Sequence, residues 1–419
     1  MAQGGAAPDS SDDPRAGQLS GDRAASTLGQ MAGYSAQNSA APQSERFIYI
    51  ACPWTPMGGG MFKVADYLIQ AQQPCVAMGY AQLRSLDTRG GSRAIYSPWV
   101  LATALVKLIG GRITGRLAGI HVNMAERLSL LRKAIIIVAG RVLGVPVVLH
   151  LHAAQLQYFY RSLPRPLRAI TRWVFSLPAA CIVLGEASRR FITEELGVPR
   201  AKVEIVINGV PRPSRLRRAH VGSPSRRILF IGNLSERKGI SDLLQGLALP
   251  EFNRACVEVT IAGGGAVDNY KSKARTLGID GFVKFEGWAD QAKVADLLAD
   301  ADALILPSYD EGLPLVILEA MANGVAVICT PVGEIPQEFR DGVEVKFVQP
   351  GDTAGIARAL NDVLSDRSLR AALERNGNAA YQERFSLEVF FDHLARVHRR
   401  HFGVGGQSRI DPGSPPPQQ

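Results

Sequence analysis

The chain is predicted to be an α/β protein built from two doubly wound domains that face each other across a cleft. Three observations predict it. Short apolar runs recur with loops and amphipathic stretches between them, glycine turns directly follow several of these runs, and the whole pattern restarts after a stretch rich in proline, serine and arginine at 211–226. A length of 419 residues accommodates two or three domains, and 46% apolar with 20% charged residues is ordinary for a chain that buries a large core.

The first domain is expected over 45–210. Its first strand is FIYIA at 47–51, followed by Pro56, Met57, Gly58, Gly59 and Gly60 as a turn and by a helix with apolar periodicity over 61–71. The turn is not G-x-G-x-x-G, and no acidic residue stands at the dinucleotide position, so the residues alone leave a plain turn and a ligand-facing loop open. Further strands are expected in RLAGIH at 116–121, VPVVLHLH at 145–152 and ACIVLG at 180–185. His150 and His152 share one face at the strand end where open α/β sheets bind ligands. Packed rim histidines are the plain alternative, and His121 reads as structural or solvated. Arg165, Arg168 and Arg172 recur at helical spacing beside Trp173. With Lys107, Arg112, Arg116, Arg132 and Lys133 they predict a basic surface, either simply solvated or drawn to an anionic membrane or lipid diphosphate. No nucleic-acid motif accompanies this charge.

The second domain is expected over 227–384 and opens with the strand ILFIG at 228–232. IGNLSERKGI at 231–240 repeats the strand, loop and helix order, with Lys238 a point charge suited to a diphosphate or, more plainly, a solvated cap. Trp288 suits either base stacking or core packing. Asp300-Ala301-Asp302, between a helix and a strand, reads as capping and solvation rather than a metal site. The central stretch is DALILPSYDEGLPLVILEAMANG at 302–324. A strand at 303–306 ends at Pro307, a polar loop follows over 308–312, Pro314 enters the first turn of a helix over 315–321, and Asn323-Gly324 stops it. Such a helix start is an anion site, and Gly312, Leu313, Leu315 and Val316 offer it backbone donors without bulk. Glu311 and Glu319 bracket it, on the order of 10–15 Å apart, about the length of a nucleotide diphospho-sugar.

EGLPLVILE at 311–319 resembles the E-x7-E signature of retaining glycosyltransferases of family four, which have the GT-B fold. The resemblance covers roughly 46–402 and is most specific over 226–352. It implies that Glu311 faces the transferred sugar and Glu319 the ribose, and that Lys238, before Gly239 as in the family, meets the diphosphate with Arg237 beside it. VVLHLHAA resembles the family's strand ending in H-G, which places His152 at the sugar's 6-position although Ala153 replaces the glycine. Asn233 stands where many members carry arginine. The loop of Gly58, Gly59 and Gly60 would lie in the cleft between donor and acceptor, and a final helix over 385–403 would cross back to the first domain. No metal or other cofactor is implied. The partners implied are a nucleotide-diphosphate sugar and a glycan or polyprenyl-linked acceptor, used in polysaccharide or cell-envelope glycan synthesis. A nucleotide-sugar epimerase on the same scaffold and a non-catalytic nucleotide-sugar-binding subunit stay open.

Residues 1–44 and 404–419 carry little large apolar pattern and are expected to be disordered extensions, without the basic and apolar regions of a signal peptide. Five scattered cysteines without a C-x-x-C pair fit a reducing compartment. No run reaches the length of a membrane span, so the expected location is cytoplasmic, peripheral on the inner face of the plasma membrane if the basic surface docks there.

Overall fold

Two parallel six-stranded sheets carry the chain. The computed structural model describes residues 46–55, 59–77, 80–91, 96–153, 155–215 and 226–404. Residues 1–44, Gly58, most of the expected linker and the tail beyond 404 lie outside the described residues.

The first sheet is laid down by β1 (Phe47–Cys52), α1 (Gly59–Ala77), β2 (Gln82–Asp87), α2 (Ser97–Ile113), β3 (Leu117–Met124), α3 (Leu128–Val142) and β4 (Val147–Leu151). It continues with α4 (Leu156–Ser162), α5 (Arg165–Ser176), β5 (Ala180–Val183), α6 (Glu186–Glu194) and β6 (Val203–Ile205). The strand order is β2-β1-β3-β4-β5-β6. Every residue of β3, β4 and β5 is buried, because helices cover both faces of a parallel sheet. That is why these strands read as nearly unbroken apolar runs, with His121, Asn123 and His150 as the polar exceptions.

The second sheet comes from β7 (Arg226–Ile231), α7 (Ile240–Ala248), β8 (Val257–Ala262), α8 (Val267–Thr276), β9 (Val283–Gly287), α9 (Gln291–Asp300) and β10 (Ala303–Leu306). It is completed by α10 (Leu315–Ala322), β11 (Ala326–Cys329), α11 (Ile335–Glu338), β12 (Lys346–Phe347), α12 (Thr353–Ser365) and α13 (Arg367–Ala380). Its order is β12-β11-β10-β7-β8-β9. Chain direction across each sheet reverses between β1 and β3 and between β7 and β10. Ligands of open α/β sheets bind at the carboxyl ends of the strands beside such a point.

After α13 the chain turns through Tyr381–Phe385 into α14 (Leu387–Phe402), capped by the Ser386 hydroxyl, which accepts from the Val389 N–H at 3.3 Å. α14 packs on the first sheet. The Val210 N–H donates to the Phe385 carbonyl at 3.0 Å, and Phe402 lies flat against Gly119 of β3, where a Cβ would come within 2.4 Å of the ring. Val404, where the tail was expected to begin, is itself buried against this core, so the fold runs at least that far. One apolar cluster fills the second domain and continues through α14 and α1 onto one face of the first sheet, and a second cluster fills the other face.

The contact between Gly119 and Phe402 is directly testable. Gly119→Ala is expected to destabilise the protein by about 1–3 kcal/mol through overpacking. Adding Phe402→Leu should recover part of that loss in denaturant titrations, whereas a simple strand-propensity effect would leave the two changes additive.

Candidate active site

The switch point of the second sheet is occupied by two loops pressed together. After β7 the chain makes a tight turn over Glu236–Lys238 and leaves it through Gly239 at φ +67°. A Cβ there would stand 2.0 Å from the Pro307 carbonyl oxygen, so only glycine allows both the left-handed backbone and the close approach. The loops are then stitched. The Tyr309 N–H donates to the Arg237 carbonyl at 2.8 Å, and the Arg237 guanidinium donates to the Asp310 carbonyl at 2.5 Å. Gly333, at φ +63°, presses on the Glu311 carbonyl from the other side, where a Cβ would lie 1.9 Å away.

Glu311 is held at the centre and is only 8% exposed. Its carboxylate pairs with the Lys238 ammonium, and Arg237 stands 3.8 Å from its other oxygen. Immediately behind it, α10 starts at Leu315 with Pro314 as its N-cap, one residue earlier than the first-turn position expected. The structure thus brings Lys238, Arg237, Glu311, Gly312, Leu313, Leu315 and Val316 to one loop pair at a helix start. Asn233 lies exposed on the same β7 loop. A helix N-terminus beside two cations suits an anionic group.

Glu319 is placed differently from a free ribose acceptor. It is 8% exposed, and its Oε1 is met by the Lys63 ammonium at 2.5 Å and by the Tyr67 hydroxyl at 2.8 Å, both from α1 of the first domain. Burial and the Glu319 carboxylate push the Tyr67 phenol well above its ordinary value, so it stays a donor. Sequence reasoning missed this pair. The one signal was the spacing of Lys63 and Tyr67 by four on a helix, which puts both on one face. A second carboxylate ties the domains in the same way. Glu334, 1% exposed, accepts from the N–H groups of Ala187 and Ser188 at 3.1 and 2.8 Å and from the Ser188 hydroxyl at 2.7 Å, capping α6. A Cβ on Gly185 would strike that carboxylate at 2.3 Å. Gly59 and Gly60 open α1, and Gly60 approaches Leu315 at the head of α10.

His152 joins another cluster. Its ring lies 4.0 Å from that of His150, whose Nδ1 is 3.2 Å from His121 Nε2. His121 Nδ1 in turn is 3.0 Å from His398 of α14. His121 is therefore structural and fully buried, which removes the solvated reading. Desolvation lowers all four imidazoles: His121 to about 4, His152 to about 3, and His150 and His398 well below the usual range. The His152 Nε2 is buried without a hydrogen-bond partner, so among the described residues it makes no hydrogen bond to Glu311 or Lys238. Two expectations are corrected here. Lys133, counted with the basic surface, is wholly buried against the Thr88 hydroxyl, and burial lowers it to about 7. Trp288 is half exposed, so it is no core residue. Asp302 accepts the Arg227 N–H at 2.9 Å and Asp300 pairs with the Arg227 guanidinium, so both are tied to the neighbouring strand β7 rather than capping a helix.

The family described as "Glycosyl transferases group 1" matches residues 216–380, and the "Glycosyl transferase 4-like domain" matches 65–209; together they take in well over half of the chain. The chain belongs to the GT-B glycosyltransferases. Among curated relatives, a lipopolysaccharide core biosynthesis glycosyltransferase, LpsE of Rhizobium meliloti, is 33% identical over 53% of this chain and 65% of its own length. The glycogen synthase of Mycobacterium tuberculosis is 30% identical over 57% of this chain and 58% of its own. The chain thus spans less than two thirds of the curated relatives it matches. HepE of Anabaena, solved with UDP, superposes with a TM-score of 0.65 at 16% identity over 85% of this chain and all of its own. Sucrose-phosphate synthase of Thermosynechococcus elongatus gives 0.67 at 16% identity, covering 85% of this chain and 98% of its own. These likenesses establish the GT-B fold.

The histidine cluster gives the glycosyltransferase fold a pH signature. Its lowered values mean that the unfolded chain binds more protons between about pH 3 and the ordinary 6.5. Stability from the neutral cluster is therefore complete above pH 6.5 and lost as pH falls through about 4. His398→Phe, which removes one titrating ring, should flatten the slope of melting temperature against pH in that window. An unchanged slope would show that the cluster is not neutral in the folded protein.

Proposed function

We propose that this protein is a retaining glycosyltransferase that moves a sugar from a nucleoside diphosphate sugar to a glycan or polyprenyl-linked acceptor. The observation that carries this reading is the Lys238–Glu311 pair, backed by Arg237, at a helix start on the switch point of the second sheet. Support for the donor class comes from HepE, a neighbour in fold whose structures contain UDP and UDP-glucose. Support for the setting, glycan synthesis, comes from the lipopolysaccharide and glycogen relatives. The reading places the protein in the cytoplasm, at the inner face of the membrane.

In this proposal the diphosphate of the donor takes the Lys238 ammonium from Glu311, and Arg237 and the N–H groups at the head of α10 share its charge. Glu311, freed from the lysine, accepts a hydroxyl of the sugar. The bond between the anomeric carbon and the phosphate oxygen breaks, the acceptor oxygen bonds that carbon on the same face, and its proton passes to the leaving phosphate. The growing charge on the leaving group is met by these cations and backbone donors, and the reading calls on no metal. His152, a neutral imidazole with a free Nε2, is suited to the sugar's 6-position. Glu319 reaches the ribose only by sharing or replacing the Lys63 and Tyr67 contacts. An epimerase would need a cleft acid or base, and His150, wholly buried among other rings, is poorly placed to be one.

Mass spectrometry after incubation with a panel of nucleotide sugars tests the activity through transfer or slow hydrolysis. Glu311→Gln should leave nucleoside diphosphate affinity intact or raise it, since Lys238 is no longer held by a carboxylate, and should lower turnover by about two orders of magnitude or more. Lys238→Ala should reduce both. Glu319→Ala should weaken nucleotide and intact donor alike by about 1.5–3 kcal/mol. A Glu311→Gln enzyme with near wild-type turnover, or a wild type that binds donors and converts none, would refute this assignment.

A further inference from the structure

Thirteen of the fifteen large apolar side chains that stand exposed among the described residues lie between Tyr96 and Trp173. They are not scattered. On α2, Trp99, Val106, Ile109 and Ile113 recur at helical spacing on the side away from the buried residues Ala104, Leu108 and Gly111. On α3 the outward series is Leu128, Leu131, Ile135 and Val142, opposite the buried Ile136, Ile137 and Gly140. On α5 it is Leu167, Ile170 and Trp173. Because α2 packs on α3 and α3 on α5, the three outward series are neighbours on one face of the first domain. Surface helices ordinarily turn polar residues outward, and a contiguous apolar face marks an interaction site.

The charge on the same segment says what it meets. Residues 97–176 hold eleven lysines and arginines against one acidic residue, Glu126, a net +10 in a chain whose total is +9. The rest of the chain is thus net negative by one, and even without the buried Lys133 the segment carries as much positive charge as the whole protein. Exposed Lys107 sits between Val106 and Ile109, Arg141 beside Val142, and Arg172 beside Trp173. Arg168 contributes less, because it is turned back onto the carbonyls of Leu163 and Arg161. Among the described residues no helix is long and apolar enough to cross a membrane, so these helices would lie on a surface rather than span it.

We infer that α2, α3 and α5 form a docking face for an anionic lipid bilayer. The apolar side chains enter the boundary between headgroups and acyl chains, and the flanking arginines and lysines pair with the headgroups. Long basic side chains suit this, since their stems stay in the apolar layer while their charge stays at the headgroups. A helix that follows a parallel strand begins at that strand's carboxyl edge, so Trp99 and Leu128 mark the cleft side of the face and Ile113 and Val142 its far side. The face thus brings the cleft rim to the bilayer. That a lipid-borne acceptor is met there rests on the proposed function; the docking itself does not.

The test is flotation of the full chain with phosphatidylcholine vesicles with and without phosphatidylglycerol. The wild type is expected to float with the anionic vesicles, less at high salt, and only weakly with phosphatidylcholine alone. Val106→Ser, Ile109→Ser and Ile113→Ser together change exposed residues only and should reduce flotation about tenfold or more. Arg141→Glu with Arg172→Glu should do the same for anionic vesicles. Thermal melting and affinity for a nucleoside diphosphate should be unchanged in both, which certifies their folding. A wild type that never floats, serine variants that float like it, or a wild-type dimer dissolved by the serine changes would each overturn the bilayer assignment. Flotation without any donor turnover would leave the docking intact and sink the catalytic reading alone.

Discussion

A carboxylate buried at the carboxyl edge of a sheet needs a cation, and Glu311 has two. Its pairing with Lys238, and the nearby Arg237, constrain everything around them. An isolated buried charge is costly, so the turn carrying Lys238 must lie hard against the loop carrying Glu311. Gly239 and Gly333 make that approach possible, since each brings backbone to where any side chain would collide. The start of α10 is fixed by the same packing, and its positive end falls beside the same two cations. In the proposed mechanism a diphosphate replaces this internal ion pair, because a doubly charged group at a helix start gains more from the lysine than one carboxylate does.

The same device joins the domains. Glu319 and Glu334 both belong to the second domain and both find their donors in the first, on α1 and at the head of α6. With α14 packed on β3 and β4, the domains are joined by two polar ties and an apolar strap.

Much of this was legible beforehand, for physical reasons that differ by element. Strands covered on both faces leave apolar runs, so β1, β4, β7, β8 and β10 stood out, while β2, an edge strand reading QLRSLD, did not. Lys238 and Glu311 were readable because strand, loop and helix order places each at a carboxyl edge. Lys63 and Tyr67 were not, since their partner lies 252 residues from Tyr67 along the chain and nothing local marks it. Lys133 misled because a lysine on an amphipathic helix is usually solvated, and here it turns inward onto Thr88. His121 looked like a lone strand histidine until α14 supplied His398, a contact that only the crossing helix creates. The outward apolar face was hidden in plain view. α2 and α3 are apolar on both sides, and periodicity alone cannot say which side is core.

The central claim is that Lys238 exchanges Glu311 for a diphosphate. A crystal structure of the protein with a nucleoside diphosphate sugar measures it most directly. The account predicts the diphosphate at the head of α10, with the Lys238 ammonium and Arg237 on its oxygens and the Glu311 carboxylate on a sugar hydroxyl. A nucleotide seated elsewhere, or a Lys238 still bound to Glu311 with the donor in place, would contradict it.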